Sequence, residues 1–314
     1  GVPASNSTVL TGATLAYLQS TFPQATYGLQ TVNLPSSLAG TTFRLIFTWQ
    51  NDASGGTNPP VSIDNISLVS SLPVPLIGGN IYPINGTEAP PTSFASMTSA
   101  LSYMGGDGVT GTGQVFLELS TGYAGETGPV SIGPIPGTSA TLGVTFRPAS
   151  GYTASTSIAG LASPNQFAIA LNGCQYVTLD GQSGGTGGTR NWTISCTGST
   201  NGQSAIRFLN TPGSTSNNII RYCNLTAEAT GTTSAIVAMT VGTSPNLYQN
   251  NIIEYNLIES GATVRGYAIS FGYSAAGQLH TGNIVRFNQI RRFNDNGIRI
   301  TGTVPGLEVY NNDI

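Results

Sequence analysis

Three stretches of the chain are near copies of one another: NNIIRYCNLTA from residue 217, NNIIEYNLIES from residue 250 and GNIVRFNQIRR from residue 282. A shorter fourth copy, LEVYNNDI, ends at residue 314. When the copies are aligned on a final aliphatic residue, the successive intervals are 33, 32 and 24 residues, and the aligned residues are Leu225, Ile258, Ile290 and Ile314. Periods of this size are typical of solenoids, whose neighbouring turns bury each other's faces.

Each copy alternates apolar and polar residues, which predicts a strand with one buried face. The apolar position five residues before the final aliphatic residue holds Ile220, Ile253, Val285 and Val309. A second element, such as AISF from residue 268, recurs between the copies, and its isoleucine column is Ile169, Ile206, Ile236, Ile269 and Ile298. We therefore predict an all-β fold in which residues 165–314 form about five coils of a parallel β-helix, right-handed as parallel crossovers nearly always are. We expect the coils to continue beyond residue 314.

Asparagine fills two columns of the repeat. The column two residues before the final aliphatic residue holds Asn256, Asn288 and Asn312, and the column seven residues before it holds Asn218, Asn251 and Asn283. Neighbouring coils lie about 4.8 Å apart, so equivalent side chains stack into ladders. We expect the first column to lie at a corner, because Asn tolerates left-handed backbone angles and its amide can bond to the amide of the next coil. Cys223 takes this position in the earliest copy and is expected to break the ladder.

Charges alternate in sign along an outward-facing column. The position four residues before the final aliphatic residue holds Arg221, Glu254, Arg286 and Tyr310. A second outward column, one residue after the aliphatic residue, places Glu259 beside Arg291. Exposed ion pairs contribute only about 0.2 to 1 kcal/mol each, so we expect these pairs to specify the register more than they stabilise the fold.

One helix is predicted, over residues 92–104, with the sequence TSFASMTSALSYM. Its apolar face comprises Phe94, Met97, Leu101 and Met104. Thr92 or Ser93 can cap its start, and the Gly105-Gly106 pair is expected to end it. A short amphipathic helix before a β-solenoid is expected to cover the open edge of the first coil.

The composition changes along the chain and predicts four segments. Residues 1–72 contain two predicted strands joined by a turn-rich loop, and they are interpreted as a partial β-sandwich of the jelly-roll type. Residues 73–80 are interpreted as a linker, and residues 81–164 as the N-terminal cap of the solenoid, which includes the helix. Residues 165–314 are the coils.

Composition also excludes several classes of function. All ten basic residues are Arg, the net charge is −3 and no basic run occurs, so the chain lacks the electrostatic signature of a nucleic-acid-binding protein. No apolar run approaches the roughly 18 residues that a membrane-spanning helix needs, so membrane insertion is not expected. The three cysteines allow at most one internal disulfide, so stability cannot depend on a disulfide framework.

Two stretches resemble a known family. FRLIFTWQNDASGGTNPPVSIDNISL resembles the closing strands of jelly-roll, carbohydrate-binding-like modules in large secreted bacterial surface proteins, many of which use the type IX export route. IYPING, followed by FASMTSALSYMGGDGVTGTGQVFLELSTGYAGE and the repeated NNIIxxNxI pattern, is similar to the capped right-handed β-helix that follows in such proteins. The resemblance implies an extracellular or cell-surface location and a structural or adhesive role.

Catalysis by the residues of the coils is a weaker hypothesis. Pectin-degrading hydrolases with this solenoid need clustered Asp side chains and a basic residue that binds the uronate carboxylate. The stretch NDNGIRI supplies Asp295 and Arg299 as weak catalytic candidates, but the chain has no paired-Asp motif, no Gly-His-Gly and no Lys. His280 is expected to lie solvated in a loop. We therefore predict no catalytic residues, no metal site and no cofactor.

Glycan binding is a somewhat better alternative, because a strip of stacked aromatic rings suits sugar rings. Its weak candidates are Tyr222, Tyr310, Arg286 and Arg291. Tyr255 and Phe287 are expected to point inward with the aliphatic column. The sequence thus favours a non-catalytic extracellular stalk, adhesin or assembly subunit, whose partners would be copies of itself, further domains of the same chain or an extracellular glycan. Carbohydrate binding is the second hypothesis, and polysaccharide lysis or hydrolysis is the third.

Overall fold

The computed structural model describes residues 44–45, 66, 74–159, 167–197, 202–228, 235–239, 247–261, 265–272, 280–301 and 304–314. Contacts divide the chain into two compact units, Gly1–Ser71 and Leu72–Ile314. The jelly-roll-like module predicted for residues 1–72, including its strands at 42–49 and 61–69, lies almost entirely outside the described residues. The second unit is an all-β solenoid of about six turns with very little helix.

The described elements of the second unit are short strands and one α-helix. In chain order they are β1 (Leu76–Ile77), β2 (Ile81–Ile84), α1 (Met97–Asp107), β3 (Val109–Thr110), β4 (Gly113–Leu119), β5 (Val130–Ile132), β6 (Leu142–Pro148), β7 (Ala154–Ala159), β8 (Phe167–Asn172), β9 (Val177–Asp180), a 3-10 turn (Ser183–Gly185), β10 (Trp192–Thr197), β11 (Ser204–Leu209), β12 (Thr215–Ser216), β13 (Ile219–Arg221), β14 (Cys223–Glu228), β15 (Ala235–Met239), β16 (Tyr248–Gln249), β17 (Ile252–Glu254), β18 (Leu257–Ser260), β19 (Arg265–Phe271), β20 (Ile284–Arg286), β21 (Gln289–Arg291), β22 (Phe293–Ile300) and β23 (Glu308–Tyr310).

Three parallel sheets form the walls of the solenoid. The eight-stranded sheet has the order β2-β4-β6-β9-β13-β17-β20-β23, the six-stranded sheet β5-β8-β11-β15-β19-β22 and the five-stranded sheet β7-β10-β14-β18-β21. Each coil visits the sheets in turn, so neighbours within a sheet come from successive coils. Two small parallel pairs, β1-β3 and β12-β16, complete the described pairing. The prediction of a parallel β-solenoid is confirmed.

Aliphatic and aromatic columns fill the interior. The eight-stranded sheet contributes a continuous buried column that consists of Leu117, Phe146, Leu179, Ile220, Ile253 and Val285. The five-stranded sheet contributes Ile194, Leu225, Ile258 and Ile290, which are also buried. Both predicted aliphatic columns therefore have the register that the sequence alignment gave them. Burial of stacked apolar side chains is the main force that holds such coils together.

In the six-stranded sheet one predicted column is shifted by one residue. Ile206 pairs with Val237, and Val237 pairs with Ile269, so Ile236 is not in the isoleucine column. All five residues of β15 are buried. Because this strand has no polar residue to mark an outer face, its alternation could not distinguish the two registers.

The coils begin earlier than predicted. Residues 81–164 are not only a cap, because β2, β4 and β6 already belong to the eight-stranded sheet. Part of the predicted linker is also ordered in the fold, since Leu76 pairs with Val109 and Ile77 with Thr110. The early coils lack the NNII pattern, so the repeat alone did not reveal them.

Helix α1 exists, but its predicted bounds of 92–104 are wrong. Residues 92 and 93 form a turn whose amides bond to Ala89 O, and the Phe94 amide donates to Pro83 O at the end of β2. Those amides are therefore unavailable to a helix. Ser96 is the N-cap and forms a capping box with Ser99. The helix runs through Gly105 and Gly106 and ends where Gly108 adopts a φ of 73°.

A glutamate from a later loop attaches to the first turn of α1. Glu126 accepts hydrogen bonds from the Met97 amide (2.7 Å) and the Thr98 hydroxyl (2.7 Å). Tyr123 donates to the same carboxylate and contacts the hydroxyl of Thr156, which is buried within the solenoid. Negative charge at a helix N-terminus is favourable. A series of polar contacts thus connects α1 to the buried side chain of Thr156 in β7, a strand of the five-stranded sheet.

The amides of Asn251 and its neighbours form a buried ladder, as predicted. Asn251 Nδ2 donates to Thr215 O (2.9 Å) and to Asn283 Oδ1 (3.1 Å). Its Oδ1 accepts from the backbone amide (3.2 Å) and Nδ2 (3.0 Å) of Asn218. An Asn side chain has two donor hydrogens and two acceptor lone pairs, so all four are used. Asn251 is 0% exposed.

Asn256 and Asn288 form the second ladder, but not in the predicted conformation. Asn256 Nδ2 donates to Ile220 O (2.9 Å) and to Asn288 Oδ1 (3.1 Å), and Asn288 Nδ2 donates to Asn312 Oδ1 (2.9 Å). The left-handed residue at this corner is the one before each asparagine, such as Tyr255 with a φ of 58°. The asparagines themselves point inward, because only there can their amides reach the carbonyl groups of the preceding coil.

Cys223 replaces asparagine without disrupting the backbone of the ladder. Its amide still donates to Asn256 Oδ1 (2.9 Å), as the amide of Asn256 does to Asn288 (3.0 Å). Its sulfur lies 3.3 Å from Arg221 O and 3.9 Å from Leu179 O, where an Asn amide would donate. The column of side-chain amides thus ends at Cys223, while the stacking of the coils continues.

Replacement of Asn251 by Asp tests the buried ladder. Asn251→Asp removes two donors and places a carboxylate oxygen against Thr215 O and Asn283 Oδ1, so we expect a loss of about 3 kcal/mol or more in the free energy of unfolding. Urea denaturation followed by circular dichroism measures it. Asn250→Asp is the matched control, because Asn250 is exposed and Asp also tolerates left-handed angles. Equal losses in the two variants would contradict the ladder's role.

Candidate functional site

The outward column of alternating charges is longer than predicted. Arg221 is the lateral neighbour of both Asp180 and Glu254, and Glu254 is the neighbour of Arg286. Upstream, Glu118 pairs with Arg147, and the β6–β9 pairing, which ends at Phe146 and Leu179, places Arg147 and Asp180 at the next position of the same column. From one end to the other the column reads Glu118, Arg147, Asp180, Arg221, Glu254, Arg286 and Tyr310. We call this column the charge ladder.

Three close ion pairs form between members of the charge ladder. The nearest nitrogen–oxygen distances are 2.7 Å for Arg147–Glu118, 2.8 Å for Arg221–Asp180 and 2.7 Å for Arg286–Glu254. Arg286 also donates to the Tyr310 hydroxyl at 2.9 Å, which, together with Glu254, raises its pKa. Asp180 is only 1% exposed. These pairs therefore affect stability more than ordinary surface ion pairs do, since a buried carboxylate needs its partner.

Glu259 and Arg291 are lateral neighbours, as predicted, but the ion pair of Glu259 forms elsewhere. The register of β18 and β21 places Glu259 opposite Arg291. The ion pair of Glu259 is instead with Arg292, whose Nη1 lies 3.6 Å from Glu259 Oε1. Arg291 is exposed and belongs to none of the four ion pairs of the described residues.

Loss of Arg221 tests the charge ladder. Arg221→Met leaves the buried Asp180 carboxylate without its arginine, and we expect a loss of about 1 to 3 kcal/mol, less than for a fully buried pair because Arg221 is partly exposed. Arg292→Met is the control, since its pair is long and exposed, and should change the free energy of unfolding by less than about 0.5 kcal/mol. Addition of Asp180→Asn to Arg221→Met should recover part of the loss. No recovery would mean that the buried charge is not the cause.

Aromatic side chains stack along one corner of the solenoid, between the eight-stranded and five-stranded sheets. Tyr222 and Tyr255 have ring centroids 4.9 Å apart with an interplanar angle of 4°, and Tyr255 and Phe287 are 4.9 Å apart at 9°. Tyr310 meets Phe287 edge-on at 5.8 Å. We call these four residues the aromatic corner.

The prediction that Tyr255 and Phe287 point inward is wrong. Both rings are half-buried rather than buried, and both residues have a left-handed backbone, with φ values of 58° and 54°. The left-handed residue turns the chain from one sheet wall to the next, so its side chain lies outside the core. Asn256 and Asn288, which follow, take the inward positions instead.

Aromatic residues are unusual in this conformation. A left-handed backbone costs about 1 to 2 kcal/mol for a residue with a Cβ, and bulky residues adopt it rarely. Three such residues occur at the aromatic corner, namely Tyr222, Tyr255 and Phe287. Two stacked pairs return about 0.5 to 1.5 kcal/mol each. Stacking therefore offsets only part of the conformational cost of the aromatic corner.

Arg190 lies across three coils beside the aromatic corner. Its backbone carbonyl accepts from Asn224 Nδ2 (3.1 Å), its Nε donates to Tyr255 O (2.8 Å) and its Nη1 donates to Gln289 Oε1 (3.1 Å). The guanidinium is thus held on the outer face of the five-stranded sheet. Burial and the nearby charge of Arg291 lower the pKa of Arg190. Neither arginine belongs to an ion pair of the described residues, and we call the two the arginine pair.

Asp295 and Arg299, the weak catalytic candidates, occupy strand β22. Arg299 lies over the ring of Tyr267, with 4.5 Å from the guanidinium carbon to the ring centroid, and Asp295 is exposed. No ion pair between them is found among the described residues. Within the part of the chain that the structure describes, no group of three or more His, Cys, Asp or Glu residues is placed to hold a metal ion.

All three cysteines are buried as thiols rather than disulfides. Burial raises the pKa of Cys174 to about 12 and raises that of Cys223 well above its ordinary value. Both thiols are therefore protonated at neutral pH, and neither is activated as a nucleophile.

His280 is buried rather than solvated, so that prediction is wrong. It is 3% exposed, and its ring stacks on Tyr248 with centroids 4.8 Å apart. Its Nδ1 accepts from the backbone amide of Tyr248 at 3.0 Å, so the neutral ring carries its proton on Nε2. Nε2 has no hydrogen-bond partner among the described residues. Burial lowers the pKa of His280.

This burial predicts acid sensitivity. The unfolded chain binds a proton at His280 near pH 6.5, whereas the folded chain resists it, so stability should fall as the pH drops below about 6.5. The slope can reach about 1.4 kcal/mol per pH unit at most. Urea denaturation at pH 7.5, 6.5 and 5.5 measures it, and His280→Gln should flatten the profile because Gln accepts the same hydrogen bond without titrating. An equal slope in both proteins would contradict this account.

Several site residues escaped the sequence analysis. Arg190 belongs to an insertion between β9 and β10 that has no counterpart in the aligned copies. The aromatic corner could have been recognised from a neighbouring pattern, since Asn250 and Gly282, typical left-handed residues, each precede a ladder asparagine just as Tyr255 does. The early members of the charge ladder lay in coils that the repeat did not include.

Comparison with known proteins assigns the chain to no family. No protein-family model matches the chain, and neither the curated proteins nor the solved structures contain a detectable match to it. Among the described helices none has the length and apolar character needed to cross a membrane.

Proposed function

We propose that this chain is a non-catalytic structural or adhesive segment of an extracellular surface protein, serving as a stalk, an adhesin or an assembly subunit. The observation that carries the proposal is the use of charged side chains. Asp180 and Glu254 each face an arginine of the charge ladder instead of converging on a common point. These groups hold coils in register, which is the task of a scaffold. Its partners would be copies of itself or further domains of the same chain.

The finer architecture is part of the same proposal. The coils wind right-handed, as parallel crossovers nearly always do. Helix α1 caps the solenoid, supported by its buried Met97 and Met104 and by the Glu126 carboxylate at its first turn. Residues 1–72 form a partial jelly-roll-like module, a proposal that rests on sequence resemblance alone.

Binding of an extracellular glycan is the second candidate function. The aromatic corner favours it, because Tyr222, Tyr255 and Phe287 remain half-buried on the outside of the solenoid although their backbone conformation is costly. Half-exposed aromatic side chains beside hydrogen-bonding groups suit the amphipathic surfaces of sugars.

Localisation and adhesion test the main proposal together. Antibodies raised against the purified chain should label intact cells of the source organism, and deletion of the coding segment should reduce attachment of the cells to surfaces or to each other. Electron microscopy of the material isolated from the cells then separates an assembly subunit, which gives ordered repeating particles, from a stalk or adhesin, which does not.

Two results would contradict the proposal. One is labelling that appears only after the cells are permeabilised. The other is turnover: incubation with a panel of polysaccharides, with and without Ca²⁺, should release no new reducing ends or unsaturated products. Turnover that disappears in the Asp295→Asn variant would restore the hydrolase or lyase hypothesis.

A further inference from the structure

We propose that the aromatic corner and the arginine pair form one binding site for a polysaccharide that carries carboxylate or sulfate groups. The inference rests on the second proposed function, glycan binding, and names the site and the class of glycan. It is independent of the structural role of the solenoid, since a scaffold can carry such a site on its outer face.

The choice of residues at two corners of the same coils is the first argument. At the corner that precedes the eight-stranded sheet, the left-handed position holds Tyr176 in one coil and Asn217, Asn250 and Gly282 in the next three. Asparagine and glycine, unlike tyrosine, adopt the conformation readily. At the other corner the same coils hold the aromatic residues. A chain with 41 glycines and abundant asparagine has no shortage of suitable alternatives, so the rings are kept for a reason other than backbone geometry.

The geometry of the rings selects the shape of the ligand. Tyr255 is stacked on both faces, by Tyr222 and by Phe287, so it presents its edge and its hydroxyl to solvent. Ring edges therefore repeat at the 4.9 Å spacing of the coils, and Tyr222 and Tyr255 add phenol hydroxyls. A row of equally spaced groups suits an extended polymer that runs along successive coils better than it suits a single sugar.

The charge beside the rings selects the chemistry of the ligand. Arg190 is anchored by Tyr255 O and by Gln289, so its guanidinium is preorganised on the face where Arg291 is exposed. Two like charges without an ion-pair partner among the described residues repel each other, and a bound anion relieves this repulsion. Guanidinium groups bind carboxylate and sulfate oxygens through charge-assisted hydrogen bonds. Burial and, after it, the charge of Arg291 lower the pKa of Arg190, in agreement with the proximity of the two guanidinium groups.

Neutral polar groups complete the site. The outer face of the five-stranded sheet near Arg190 presents side chains that can donate or accept hydrogen bonds with sugar hydroxyls, namely Thr193, Asn224, Thr226 and Gln289. All four are partly exposed. Such a surface of amides and hydroxyls, bordered by rings and guanidinium groups, matches an acidic polysaccharide in both its sugar hydroxyls and its charges.

Binding of three polysaccharides to the whole chain tests the site. Isothermal titration calorimetry with alginate, which is carboxylated, with dextran sulfate and with neutral dextran should show binding of an acidic polymer and none of dextran. The double variant Arg190→Gln/Arg291→Gln should weaken that binding by at least about tenfold. Arg299→Gln is the matched control, because it removes the same charge from strand β22 of the six-stranded sheet and should leave the affinity unchanged.

Tyr255→Asn separates a binding role from a structural one. Asparagine adopts left-handed angles readily, so the urea denaturation midpoint should stay the same or rise. Binding of the acidic polymer should nevertheless weaken, because the central ring of the aromatic corner is lost. A lowered midpoint with unchanged binding would show that the rings serve stability only and would overturn the proposal.

The other possible outcomes of these experiments also either support or overturn the proposed site. Equal binding of dextran and the acidic polymers, unaffected in the arginine double variant, would overturn the acidic site while leaving glycan binding in place. If none of the three polymers binds, both the acidic site and the proposed glycan-binding function are overturned. An equal loss of affinity in Arg299→Gln, or equal affinity for a DNA oligonucleotide, would reduce the effect to nonspecific attraction of polyanions and overturn the site. Affinity for alginate alone or for dextran sulfate alone identifies carboxylate or sulfate as the recognised group, and both results support the proposal.

Discussion

The side-chain amide of a buried asparagine is the interaction on which the register of the later coils, from Asn218 to Asn312, depends. Each ladder asparagine follows a left-handed residue, so the chain turns a corner and immediately places an amide inside the wall. There Asn251 uses both donors and both acceptor lone pairs, with partners in the preceding and following coils. Because a buried polar group is stabilising only when it is fully bonded, one coil fixes the height and register of the next.

Register, once fixed, determines what the outer surface can be. Opposite charges fall beside one another in the charge ladder, and rings fall on rings at the aromatic corner, because both follow the same coil-to-coil spacing. The same stacking brings Arg190 of one coil to Gln289 of a later coil, two residues before Arg291. Surface chemistry in a solenoid is therefore a product of its internal order, and a repeated side chain on one strand becomes a linear array on the whole molecule.

Sequence alone predicted the parts of this fold that repeat regularly. The aliphatic columns through Ile253 and Ile258 and the alternation of Arg221 and Glu254 were predictable, because polar and apolar residues alternate there. Strand β15 was misaligned by one residue because it is apolar throughout. The corners were harder to predict, since nothing in the residue type of a tyrosine indicates a left-handed backbone. Arg190 was not predictable, because its insertion has no repeat to align, and His280 was hidden in a stretch that reads as a loop.

Hydrogen exchange of the asparagine side chains tests the central claim most directly. Nuclear magnetic resonance resolves the Nδ2 protons of individual asparagines and measures how fast they exchange with solvent. If the buried amides fix the register of the coils, those of Asn251, Asn256 and Asn288 should exchange at least about a hundredfold more slowly than the exposed amide of Asn250, because exchange then requires separation of the coils. Comparable rates for Asn250 and Asn251 would contradict the account.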